Sequence, residues 1–132
     1  MSANVTDEVL TWLEAHCPVH VGLERIESDP SGLPDAMMHA ENVPVQVRAY
    51  KSGQRVMSFR FSVHLRDRLD DARGRIEADG LLRGISEAWK AADFDGLVLT
   101  RRPMVETYPV LTDATENYET YSATLSLEYL TD

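Results

Sequence analysis

Several side chains have the types and spacing that chemistry uses. His16 and His20 stand four residues apart with Cys17 between them, the separation at which one helical face presents two metal ligands. Pro18 interrupts the helix that would align them, and no CxxC or HExxH supplies the remaining ligands, so the pair reads as ordinary surface or core histidines. Cys17 beside a histidine is also the one local nucleophile–base candidate, but neighbours in sequence rarely have the geometry for proton transfer. Asp93 and Asp95 in DFDG, and Asp70 with Asp71, are fragments of a calcium loop without its alternating ligands or closing glutamate; they read as a helix end and a turn. Gly74, Gly80 and Gly84 lack the GK[ST] ending of a phosphate-binding loop. Arg66, Arg68, Arg73 and Arg75 carry charge suited to phosphate, yet Asp67, Asp70, Asp71 and Glu77 interleave with them, the pattern of a salt-bridged surface or a subunit contact. No catalytic residue, metal or cofactor is expected.

The whole chain constrains what could position such groups. Its 132 residues suffice for one domain, spanning 1–132, with a core that needs no disulfide. The single cysteine excludes a disulfide scaffold. No apolar run approaches the ~20 residues of a membrane span, and the N-terminal MSANVTDEVL has no signal core, so a soluble, untargeted protein is expected. The net charge of −9 opposes tight binding to a polyanion. That charge is uneven: residues 1–47 hold 8 acids and 1 base, 48–83 hold 5 and 9, and 84–132 hold 9 and 3.

Apolar periodicity predicts the elements. Val9, Trp12, Leu13 and His16 or Cys17 share a helical face over Thr6–His16, capped by Asn4 or Thr6 and stopped by Pro18. Val19, Val21 and Leu23 alternate as a short strand. Residues 27–42, with two prolines and a glycine, read as a long surface loop in which Pro34 starts a helical turn through Met37 and Met38. Val43, Val45, Val47 and Ala49 then alternate before an SGQ turn, and Met57, Phe59, Phe61, Val63 and Leu65 alternate after it, which makes a hairpin. Ala78, Leu82, Ile85, Trp89 and Ala92 form one stripe of a core-packing helix over about 75–93. LVLTRR is a strand that Pro103 confines to an edge, an end or a bulge. Tyr121, Ala123, Leu125, Leu127 and Tyr129 alternate as a terminal strand. The expected fold is α+β, in the order α-β-β-β-α-β-β: a mostly antiparallel sheet of about five strands with two helices packed on one face.

The succession VPVQVRAYKSGQRVMSFRFSVHLRD, IEADGLLRGISEAWKAA, GLVLTRRPMVE and ENYETYSATLSLEYL resembles the tail-terminator, or tail-completion, proteins of long-tailed bacteriophages, also called minor capsid or minor tail proteins. The likeness covers about residues 5–130 and lies in element order and length, not in a diagnostic motif. It implies a non-enzymatic virion protein, made in the bacterial cytoplasm, that assembles as a hexameric ring at the head-proximal end of the tail tube. Its implied partners are the tail-tube protein and a head-completion protein, with DNA passing through unbound. A ring needs two different complementary faces on each subunit. Arg60, Arg66 and Arg68 are the expected subunit edge, and Asp113, Glu116 and Glu119 the expected acidic lining of the lumen. Other readings of the chain are a different head–tail connector or tail-tube subunit, or a small oligomeric ligand-binding domain or enzyme with its pocket near Tyr50, Arg60 and His64.

Overall fold

The computed structural model describes residues 4–26, 34–68 and 72–131. Helix α1 (Val5–His16) begins where Asn4 accepts hydrogen bonds from the Thr6 and Asp7 amides at 3.0 and 3.3 Å. Asp7 and Glu8 favour the positive end of its dipole. Its buried face is Val5, Val9, Trp12 and Leu13. Past its end Cys17 is buried, while the His16 ring stacks on Trp12 with centroids 4.0 Å apart.

Among the described residues seven strands form one sheet: β1 (Val21–Leu23), β2 (Asp35–Ala40), β3 (Val45–Ala49), β4 (Arg55–Arg68), β5 (Val98–Leu99), β6 (Met104–Ala114) and β7 (Tyr118–Thr131). Helix α2 (Ala72–Trp89) lies between β4 and β5 in sequence. The chain is therefore α+β and mostly antiparallel; among the described residues only β1 and β2 pair in parallel.

The centre of the sheet is the β4–β7 ribbon, paired over 14 residues from Arg55↔Thr131 to Arg68↔Tyr118. Phe59, Phe61, Val63 and Leu65 lie directly opposite Leu127, Leu125, Ala123 and Tyr121, and all eight are buried. Because side chains alternate, a one-residue slip would turn all of them away from the core. Trp89 of α2 meets this apolar face edge-on at Phe61 and meets Trp12 of α1 likewise, both with centroids 5.1 Å apart, so the two helices cover the same side. β2 and β3 lie in tandem along one side of β4, and β5 and β6 along the outer side of β7.

The expected strand count and order are corrected: the order is α-β-β-β-β-α-β-β-β. Residues 35–40 are a strand, not a loop with a helical turn at Met37 and Met38. Ala36, Met38 and Ala40 lie opposite Leu65, Val63 and Phe61, and the burial gained on that face outweighs the poor strand propensity of alanine and methionine. Residues 27–33 and 69–71, including Asp70 and Asp71, lie outside the described residues. Of LVLTRR only Val98–Leu99 is strand, and an unforeseen β6 follows Pro103. Its pairing with β7 shifts register three times and it carries Pro109, which erases any two-residue period from its sequence. The hairpin 45–68 forms as expected, closed by Gly53 at φ +93° with its amide on the Tyr50 carbonyl at 3.0 Å. However, every residue of β3 is exposed, so Val45 and Val47 do not enter the core.

Helix α2 spans 72–89, where the sequence suggested about 75–93. A Cβ added at Gly80 or Gly84 would meet no atom within 4 Å. Gly80→Ala and Gly84→Ala are each expected to stabilise the chain by about 0.5–1 kcal/mol in denaturant titrations, because an exposed helical glycine loses more backbone entropy than alanine.

Candidate functional site

The sheet face opposite the helices carries the even-numbered residues of β4. His64 is its centre, paired across to Ser122 on one side and Met37 on the other. Its Nε2 lies 2.8 Å from Ser62 Oγ and its Nδ1 2.5 Å from Ser122 Oγ. Thr112 Oγ1 donates to the Thr120 carbonyl and lies 2.8 Å from Ser122 Oγ. With that threonine proton spent, Ser122 donates to Thr112 and accepts from His64 Nδ1–H, which leaves Nε2 to accept the Ser62 hydroxyl. This is the hydrogen bond of a nucleophile to its base, but Ser62 is 2% exposed, so a substrate cannot reach it.

Burial is the main cause that pulls the His64 pKa below its ordinary value, and the nearby charges of His39 and Arg66 act in the same direction; Glu41 and Glu24 oppose them. A histidine with a lowered folded pKa binds fewer protons than the unfolded chain, so its contribution is intact above the unfolded pKa of about 6.5 and is lost as pH falls below it. The melting temperature should therefore drop between pH 7 and pH 5, and His64→Gln should drop less over the same interval. Beside it, Glu24 adopts φ +67°, accepts from the Ala40 amide at 2.9 Å and lies 2.6 Å from His39 Nδ1. The Ala40 hydrogen bond, then His39, hold the Glu24 carboxyl below its usual range. Nothing in the sequence marked Glu24 or His39, since their meeting depends on β2.

The two histidines four residues apart in sequence are engaged separately: His16 Nδ1 is 2.9 Å from the Trp12 carbonyl, and His20 Nδ1 is 3.2 Å from the buried Asp35. Tyr50 lies opposite Gln54 at the hairpin turn, ten residues along β4 from His64 and so about 34 Å away. The pocket expected near Tyr50, Arg60 and His64 is thus corrected: these residues do not converge. A cavity of about 490 Å³ lies instead between the end of α2 and the β5–β6 segment, lined by Lys90, Leu99, Arg101, Arg102 and Pro103 among others. Lys90 is already paired with Glu87 at 2.6 Å and Arg101 with Glu128 at 3.1 Å.

Arg60, Arg66 and Arg68 share one face of β4. Arg60 sits at the junction of β2 and β3, where its amide donates to Asn42 and its carbonyl accepts from Glu41. Arg66 lies 4.0 Å above the Tyr118 ring and donates to Thr120 at 3.3 Å, so its guanidinium is engaged within the chain. Arg68 is exposed at the end of the strand. Of the expected lumen acids, Asp113 belongs to the outer strand β6 and Glu116 to the β6–β7 turn, and both are exposed. Glu119 is corrected: it lies in β7, is 3% exposed, and forms an ion pair with Arg75 at 2.7 Å, so it presents no charge to a channel. Arg75→Ala should lower the melting temperature more than Glu119→Gln. The first strands a buried carboxylate, whereas the second leaves a guanidinium that water already reaches.

The edges remain. Among the described residues, β3 has a strand only on its β4 side and β6 only on its β7 side. The β3 edge exposes Val43, Val45, Val47 and Tyr50; the β6 edge exposes Met104, Tyr108, Val110 and Leu111. Among the described residues no helix is long and apolar enough to cross a membrane. In comparisons with known proteins, the chain matches no protein-family model and no curated protein.

Proposed function

We propose that the chain is a phage or prophage structural protein that terminates the tail tube and joins it to the head as a ring. One observation carries the reading: the outer strands β3 and β6, on opposite sides of the β4–β7 ribbon, both expose apolar side chains but differ in sequence and charge, as head-to-tail assembly requires. The element succession that resembles the tail terminators supports it. In this reading the protein is not an enzyme. It contacts the tail-tube and head-completion proteins, and acts in the virion after assembly in the bacterial cytoplasm. Glu116, at the tip of its turn, lines a channel whose negative charge keeps DNA from sticking.

The test is deletion of the gene from the phage or prophage that carries it, followed by electron microscopy of the lysate. Headless tails of excessive, uneven length are expected. Normal tails joined to heads overturn the reading, as does a genomic setting without tail genes.

A further inference from the structure

The two edges are complementary in a specific way. Residues 43–55, which contain β3 and its turn, hold Arg48, Lys51 and Arg55 and no acid. Residues 104–114, which form β6, hold Glu106 and Asp113 and no base. Arg48, Lys51, Glu106 and Asp113 are all exposed, and Glu106 keeps its charge while accepting a hydrogen bond from the Ser126 hydroxyl at 2.7 Å. Each charged set sits among large exposed apolar residues: Val43 at 79% and Val47 at 50% on one edge, Val110 at 50% and Leu111 at 51% on the other. Lys90 and Arg83 of α2 also lie over the Tyr108 ring of β6, but they are paired with Glu87 and Asp79, so the charge that β6 itself adds to its edge is acidic. An apolar strip with acidic residues of its own, matched by a strip with basic ones, is a pair of surfaces that attract each other and repel their own kind.

We infer that the β3 edge of one subunit docks against the β6 edge of a second copy of this chain. This rests on the ring reading and names its contact. The pairing is heterologous, so it propagates from subunit to subunit and must close on itself or form a filament. Specificity lies in side chains rather than in a continued backbone ladder, because Pro44, Pro103, Pro109 and the register shifts of both strands interrupt such a ladder. β3 pairs along residues 55–58 of β4, opposite 128–131 of β7, while β6 pairs along 119–126 of β7. The two docking strips are thus offset by about seven residues, or roughly 24 Å along the strands, so successive subunits are staggered and the strands tilt from the ring axis. The contact is also distinct from the Arg60, Arg66 and Arg68 face, and it moves Asp113 from the lumen into the subunit interface.

Native mass spectrometry of the full chain tests the pairing. The variant R48E/K51E carries acid on both edges and E106K/D113K carries base on both; all four positions are exposed, and the circular dichroism of each variant checks its fold. Each variant alone is expected to lose the wild-type oligomer. Their equimolar mixture should restore an alternating ring with an even number of subunits, and combining all four substitutions in one chain should restore assembly without mixing. An oligomer that persists in either variant, a loss that neither mixing nor combination repairs, or a wild-type chain that stays monomeric at every concentration overturns the pairing. None of these outcomes decides the tail-terminator reading, which falls with the gene-deletion result or with a genomic setting without tail genes.

Discussion

Trp89→Ala is expected to cost about 3–5 kcal/mol, which at this chain length lowers the melting temperature by roughly 10–20 °C. The indole is fully buried and meets Trp12, Phe61 and Phe94 edge-on, with centroids at 5.1, 5.1 and 5.8 Å. It packs at once against α1, the sheet and the segment after α2, so its removal leaves a cavity that no single neighbour can fill. Its N–H also donates to the Ser126 carbonyl at 3.1 Å. Trp89→Phe keeps most of the apolar contact and loses that hydrogen bond, and should cost about 1–2 kcal/mol. Thermal and urea unfolding should rank wild type, then Trp89→Phe, then Trp89→Ala; equal losses in the two variants would mean that packing around the ring is unimportant.

Met38→Ala should cost about 2–5 kcal/mol, whereas Met37→Ala should cost under about 1 kcal/mol. Met38 is fully buried opposite Val63, while Met37 points to the other face opposite His64 and is partly exposed. The contrast between adjacent, identical residues tests β2 directly, since a surface loop would make both substitutions nearly neutral. Urea unfolding midpoints of the two variants supply the measurement.

The strands at 55–68 and 118–131 were legible because each keeps an apolar residue at every second position long enough to exclude a helix. The helices were legible from their stripes, and the sharing of one apolar face by Phe61, Leu125 and Trp89 follows from those patterns. β2 was illegible because its apolar positions are two alanines and a methionine, and Pro34 beside them signals a turn. β6 was illegible because its side chains are mostly exposed and its bulges break the alternation. The same blindness affected the candidate site. Glu119 looked like a member of an acidic loop until β7 placed it against Arg75, 44 residues away. Val45 and Val47 looked like core until β3 proved to lie on the rim of the sheet.

By itself the sequence determined which residues had to leave water, because the cost of exposing a periodic apolar face is local and additive along a strand or helix. It also determined the uneven charge along the chain. Only the tertiary structure decided which strands border solvent, which polar groups find partners from distant segments, and hence that one edge is basic and another acidic. Those outcomes depend on pairing between segments far apart in sequence, and an edge strand differs from a central one only by the neighbour it lacks.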